Sequence, residues 1–257
     1  MAHPAKEQAG RAATELTEVF TSKGIEVVEA AFGSGAELLI ALGGDGTILR
    51  AARIAVEDDI PLVGLNLGHL GFLSSADVSD LTTVAERLIE GDHTIDSRMM
   101  LEAELSGHEE RVLALNEVVV ERGGVARLIS VSVKVGEDDI ATYAADGFIV
   151  ATPTGSTAYS LSAGGPVVEP RVDAMILTSV SAHAPLWRSI VVGPDRTVTL
   201  TMNHEVAVSA DGQECGTVTV GGTLKVSPHA RRLQLIELGN SPFFQKLRSR
   251  FMLDPSA

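Results

Sequence analysis

Ala13, Leu16, Val19 and Phe20 recur at helical spacing, so Ala5 to Ser22 reads as an amphipathic helix with Gly24 as its stop. Ile25-Glu26-Val27-Val28 follows as a strand. Leu38 to Leu42 is an unbroken apolar run that ends in Gly43-Gly44-Asp45-Gly46-Thr47, after which Ile48, Leu49, Ala52 and Ile54 to Val56 resume a helical period. Pro61 to Leu65 reads as a second buried strand and Leu81 to Glu90 as a further helix. Apolar strands bracketing helices predict a parallel sheet covered on both faces. The chain enters this pattern through a helix, so the first strand of such a sheet is either dispensed with or missing from the chain.

After about Arg98 the rhythm changes. Leu113 to Leu115, Val118 to Val120, Leu128 to Val135 and Phe148 to Ala151 are short strands; Val198 to Thr201, Val206 to Ser209 and Thr217 to Val220 alternate with period two between Gly, Asp, Asn and Pro turns. Helical patterns return only at Pro242 to Phe251. The expected fold is an α/β N-terminal domain (1–97) with a Rossmann-like parallel sheet, and a mostly β C-terminal domain (98–239). The last helix, in 240–257, is expected to return to the first domain.

Composition narrows the function. Of 257 residues, 45% are hydrophobic and 21% charged, which is globular rather than disordered. No apolar run approaches the ~18–20 residues of a membrane span, and the first residues lack a signal-peptide pattern. One cysteine and seven histidines without HxH or HxxxH spacing argue against a dedicated metal site. The expected location is the cytoplasm. A formal charge of −14 repels a nucleic-acid backbone but leaves room for a small phosphorylated ligand in one locally favourable loop.

Gly43-Gly44-Asp45-Gly46-Thr47 is such a loop. Its glycines let the backbone turn after the strand and approach a ligand, and the following helix points its N-terminal N–H groups at the same space. A carboxylate is out of place beside phosphate unless it meets Mg²⁺ or takes a proton, so Asp45 is the candidate catalytic group. The loop is neither GxxxxGK[ST] nor GxGxxG. Residues 146–166, Asp-Gly-Phe-Ile-Val-Ala-Thr-Pro-Thr-Gly-Ser-Thr-Ala-Tyr-Ser-Leu-Ser-Ala-Gly-Gly-Pro, run from a strand into a loop rich in hydroxyls, with Tyr159 as an aromatic face.

The first string resembles the GGDGT loop shared by NAD kinases, lipid kinases of the diacylglycerol and sphingosine type and, as GGDGS, phosphofructokinases. The second resembles the signature of NAD kinases. Gly64 to Leu73, Leu115-Asn116-Glu117, Ser181-Ala182-His183 and Asp211-Gly212-Gln213 resemble further segments of that family in order, although the Cys and Pro that usually precede the histidine are replaced here. The resemblance spans about Leu38 to Leu253.

It implies Mg²⁺-dependent phosphoryl transfer from ATP, or polyphosphate, to the 2′-hydroxyl of the NAD adenosine ribose. It assigns Asp45 to activation of that hydroxyl, Gly44 and Gly46 to nucleotide phosphates, and Arg50 to the nucleotide. Asn116, Glu117, Asp146, Thr157, Ala158, Tyr159, Ser160, Leu161, Ser162 and Gln213 fall to NAD. Phe72 reads as an adenine contact or a core ring, Arg127 as a nucleotide contact or a solvated strand charge, and His69 and His183 as structural histidines. Ala144 stands where many relatives carry a basic residue. The resemblance also implies a homodimer or homotetramer, with no nucleic-acid or membrane partner. The alternatives are a lipid kinase and a non-catalytic NAD(P)-binding regulator.

Overall fold

The computed structural model describes residues 1–3, 7–66, 71–74, 76–77, 80–122, 128–182, 188–239 and 242–252. The elements are, in order, α1 (Glu7–Ser22), β1 (Leu39–Leu42), α2 (Asp45–Glu57), β2 (Leu62–Asn66), β3 (Ala76–Asp77), α3 (Leu81–Glu90), β4 (Thr94–Arg98), β5 (Leu101–Leu105), β6 (Val112–Ala114), β7 (Glu117–Glu121), β8 (Ile129–Val135) and β9 (Asp138–Ala145). There follow β10 (Gly147–Ala151), a 3₁₀ turn (Gly155–Thr157), α4 (Tyr159–Ser162), β11 (Met175–Val180), β12 (Ile190–Val192), β13 (Val198–Met202), β14 (Val206–Ala210), β15 (Gln213–Val218), β16 (Thr223–Pro228), β17 (Leu233–Glu237) and α5 (Phe243–Phe251). Among the described residues no helix is long and apolar enough to cross a membrane.

The chain divides into two units, Met1–Ser97 with Leu233–Ala257, and Arg98–Arg232. In the first, the sheet order is β1-β2-β17-β4, with β3 beside β2. β1, β2 and β17 run parallel. The return to this unit therefore begins with a strand at Leu233, ahead of the helix expected to make it. The α1 face of Ala9, Ala12, Leu16 and Phe20 joins the α3 residues Leu81, Val84, Ala85 and Leu88 in one core with Leu42, Val63 and Leu65. On β2, Gly64 lets α2 lie close, because a Cβ there would stand 2.4 Å from Ile48 Cδ1.

The expected strand at Ile25–Val28 does not form, and Ile25, Val27 and Val28 are exposed. Gly24, at φ +77°, ends α1 in a left-handed cap in which the Ile25 N–H reaches back to the Phe20 carbonyl at 3.0 Å. A strand needs a partner for its backbone groups, and the outer edge of β1 is already taken. Met1–His3 pairs there in parallel: the Met1 amine donates to the Ile40 carbonyl at 2.6 Å, Leu42 N–H to Met1 at 2.8 Å, and His3 N–H to Leu42 at 3.0 Å. Met1–His3 thus lies along the outer edge of β1.

The second unit is a sandwich of two antiparallel sheets, β12-β11-β10-β7-β14-β15 and β6-β5-β16-β13-β8-β9. Alternation along β8, β13 and β14 turns one face inward, where Val131, Val133, Leu200 and Val208 meet Val118, Phe148 and Leu177 in a shared core. β7 and β10 are buried on both faces. Their outer side carries a smaller core of Val119, Ile149, Ala151 and Ile176, against which Ala163 and Val168 pack. The hydroxyl-rich run, expected as a loop, therefore folds as a 3₁₀ turn and the single helical turn α4 in a segment laid over this sheet.

Candidate active site

In the first unit the glycines of the phosphate-type loop have different origins. Gly43 is required by the chain: at φ +157° its Cβ would lie 2.5 Å from Thr47 Oγ1. Gly44 and Gly46 are not required; a Cβ on either would meet nothing within 4 Å, and neither has a positive φ. Two glycines with open space above them suit a backbone approached by something outside the chain. Gly44 is the N-cap of α2 and supplies no side-chain cap; the Thr47 N–H turns back to the Gly44 carbonyl at 2.8 Å, and the N–H groups of Asp45 and Gly46, ahead of it, suit an anion.

Asp45 opens α2. Its carboxylate accepts from the backbone N–H of Phe72 at 3.3 Å and of Leu73 at 3.4 Å. It lies so close to the turn at 71–74 that a Cβ on Gly71 would stand 2.1 Å from Asp45 Oδ1. The turn is tied locally: Gly71 N–H donates to Ser74 Oγ at 3.0 Å. Phe72 packs its ring 6.4 Å from Phe243 and 6.5 Å from Phe251, so the core alternative describes the contacts it makes within its unit. Arg50 lies half-buried on the next turn of α2, its Nε buried without a hydrogen-bond partner, as is Thr47 Oγ1.

Lys246 was invisible in the sequence. It is 8% exposed, and its Nζ donates to the carbonyls of Ser74 at 3.1 Å and Phe72 at 3.4 Å and pairs with Glu237 Oε1 at 3.4 Å. These partners are far away in the chain, and a lysine in an amphipathic helix ordinarily reads as a solvated charge.

In the second unit, Leu115–Glu117 is clamped from two sides. The Asp211 carboxylate, on a turn residue at φ +50°, accepts from the N–H groups of Asn116 (2.7 Å), Leu115 (2.9 Å) and Glu117 (3.3 Å). Opposite, Thr152 N–H donates to the Asn116 carbonyl at 2.8 Å and Thr152 Oγ1 to the Leu115 carbonyl at 2.5 Å. Gly155 closes on the same peptide, since a Cβ there would lie 2.1 Å from the Asn116 oxygen. In the Asp-Gly-Gln string Gln213 is exposed, and Asp211 makes these backbone contacts.

Glu117 is 6% exposed, and its Oε2 is buried without a hydrogen-bond partner. Burial, reinforced by the neighbouring Asp211 charge and opposed by a bond from the Tyr159 backbone N–H, pushes its carboxyl up to about 7. Tyr159 opens α4 and is 40% exposed. Burial and the charges of Glu121, Asp146 and Glu117 push its hydroxyl above the ordinary tyrosine value. Asn116 and Glu117 stand at one end of the β7–β10 ladder, opposite Ala151, and Asp146 at the other, beside Glu121; Tyr159 bonds Glu117 through its backbone, and its hydroxyl feels the charges of Glu121 and Asp146. Thr157, Ala158 and Leu161 are half-buried and Ser162 exposed, whereas Ser160 is fully buried, 3.1 Å from Thr178 Oγ1. Ser160 is thereby a packing and hydrogen-bonding residue inside the unit. Arg127, His69 and His183 lie outside the described residues.

Among the described residues no three His, Cys, Asp or Glu side chains converge as metal ligands. The arrangement offers a carboxylate at a helix N-terminus in one unit, and in the other a buried carboxylate, Glu117, with one oxygen outside any hydrogen bond beside the Tyr159 backbone.

The family described as ATP-NAD kinase N-terminal domain matches residues 2–93, and that described as ATP-NAD kinase C-terminal domain matches residues 115–238. The NAD kinase of Heliobacterium modesticaldum is 46% identical over 220 residues, 83% of this chain and 78% of its own. That of Caldanaerobacter subterraneus is 42% identical over 223 residues, 84% and 79% respectively. An NAD kinase from Archaeoglobus fulgidus in complex with ATP superposes with a TM-score of 0.77 at 28% identity, covering 93% of this chain and 94% of that one. Yeast NADH kinase complexed with NADH shares the fold, with a TM-score of 0.90 at 21% identity over 100% of this chain and 87% of that one.

Proposed function

The chain belongs to the NAD kinase family, and on that premise we propose that it transfers the γ-phosphoryl group of MgATP to the 2′-hydroxyl of the NAD adenosine ribose, giving NADP and ADP. The observation that carries the proposal is the Asp45 carboxylate, held by two backbone N–H groups in a glycine loop whose Gly44 and Gly46 the chain itself does not need. Phosphoryl transfer asks mainly for alignment and charge neutralisation. Gly44, Gly46 and the first turn of α2 receive phosphate oxygens, Arg50 adds positive charge, and Mg²⁺ enters as part of the nucleotide substrate. Asp45 orients the 2′-hydroxyl. An alcohol is far too weak an acid to ionise first, so the proton passes to Asp45 late in the transfer.

Asn116, Glu117, Asp146 and Tyr159, with Thr157, Ala158, Leu161 and Ser162, bind NAD. The free oxygen of Glu117 accepts from a ligand hydroxyl, and the Tyr159 ring offers a stacking face. The same reading assigns the cytoplasm and a homodimer or homotetramer, as the family implies.

The direct test incubates the protein with MgATP and NAD⁺ and detects product with an NADP-specific dehydrogenase, with polyphosphate as an alternative donor and micellar sphingosine or diacylglycerol as alternative acceptors. NADP formation with no lipid phosphorylation is expected. Lipid product without NADP overturns the acceptor, and neither product favours the non-catalytic regulator.

Glu117 makes the reaction pH-dependent. With its carboxyl near 7, the ionised acceptor form grows as pH rises through neutrality, so KM for NAD⁺ falls between about pH 6 and pH 8. Glu117→Gln flattens that dependence and raises KM for NAD⁺ about ten- to a hundred-fold, the loss of one charge-assisted hydrogen bond. Stability runs the other way. A carboxyl raised from 4.5 to about 7 on folding contributes stability present below 4.5 and lost as pH rises through about 7. The glutamine variant therefore gains in Tm over the parent as pH is raised from about 5 to 8; an unchanged difference rules out burial of an ionising Glu117.

A further inference from the structure

We infer that Lys246 is a positioning residue for the phosphoryl transfer, acting on Asp45 through the turn at 71–74. The inference rests on the proton-accepting role of Asp45 proposed above. An ammonium group has three donors, and Lys246 directs them to three acceptors: Glu237 Oε1 and the carbonyls of Phe72 and Ser74. Charge balance alone needs only the glutamate. The two carbonyls belong to the residues on either side of Leu73, and the N–H groups of Phe72 and Leu73 are the ones that hold the Asp45 carboxylate. The turn lies in neither helix nor strand, so its placement depends on such contacts. α5 grips it twice, by the ammonium on its backbone and by Phe243 and Phe251 on the Phe72 ring. The bonds to Asp45 are already long, at 3.3 and 3.4 Å, and a small drift of the turn breaks them.

The test separates this role from a salt bridge that merely stabilises the fold. Lys246→Met is expected to lower kcat about 10- to 100-fold, the scale of an ångström-sized misplacement, with KM for NAD⁺ and ATP within about threefold. Lys246→Arg, which keeps charge and donors, restores kcat to within about threefold of the parent. Glu237→Gln combined with Lys246→Met leaves no buried charge stranded; it stays slow if the carbonyl contacts matter, and it carries the test should the single variant fail to fold. In an Asp45→Asn background, Lys246→Met costs no more than about twofold, because the two act through one carboxylate. Parental kcat in the double variant, or an undiminished loss in the Asp45→Asn background, overturns the inference. Parental kcat in Asp45→Asn alone instead overturns the role of Asp45.

Discussion

Asp45→Asn lowers kcat by about 10²- to 10⁴-fold, the usual contribution of a positioned proton acceptor, while calorimetric affinity for NAD⁺ stays within a few-fold of the parent. The amide keeps an oxygen for the Phe72 or Leu73 N–H, so the turn and the glycine loop survive. It loses the capacity to take a proton, and it removes a negative charge from a helix N-terminus where phosphate binding alone favours a neutral or basic group. ATP affinity therefore holds or improves as turnover collapses. A variant within a few-fold of parental kcat removes Asp45 from the chemistry.

Gly71→Ala is expected to cost at least about 100-fold in kcat, approaching the loss of Asp45 itself. The added methyl would sit 2.1 Å from Asp45 Oδ1 and within 2.8 Å of the other carboxylate atoms nearest it. Contact at that distance is forbidden, so either the carboxylate swings away or the turn moves and withdraws its N–H groups. Gly46→Ala is the control: it adds the same methyl where the chain has open space, so any loss there reports on the bound nucleotide, as a raised KM for ATP with the parental Tm. If Gly71→Ala turns over like the parent, the carboxylate position described here is not the working one.

Local strings carried most of what was legible. The apolar runs at Leu38–Leu42 and Pro61–Leu65 marked parallel strands because burial on both faces removes alternation. The glycine loop and the run from Asp146 to Pro166 stood out as candidate functional segments, the first by a carboxylate among glycines after a buried strand and the second by its resemblance to the NAD kinase signature. Residues whose meaning lies in distant partners were opaque. Lys246 reaches carbonyls 172 and 174 residues earlier, and nothing in its own neighbourhood distinguishes it from a surface charge; Asp211 stood in a recognisable Asp-Gly-Gln string, but its hold on amides 94 to 96 residues away was not legible there. Ser160 read as a ligand hydroxyl like Ser162, although the Thr178 hydroxyl takes it inward. Ile25–Val28 has strand propensity, but propensity forms a strand only where an edge pairs with it, and beside β1 that place is held by Met1–His3.

The place of β17 between β2 and β4 reaches beyond the finished molecule. During translation the Arg98–Arg232 unit is a continuous stretch with all its strands available once it has left the ribosome. The other unit, although synthesis starts with it, lacks an inner strand of its sheet until Leu233–Glu237 emerges. The usual order, in which the N-terminal domain of a nascent chain folds first, cannot run to completion here before Leu233–Glu237 is made. Until then only the two residues of β3, opposite Leu65 and Asn66, cover that edge of β2, and the rest is a template for pairing with the wrong chain. Premature termination before residue 233 would not shorten this protein at its margin; it would open the middle of the sheet that carries Asp45.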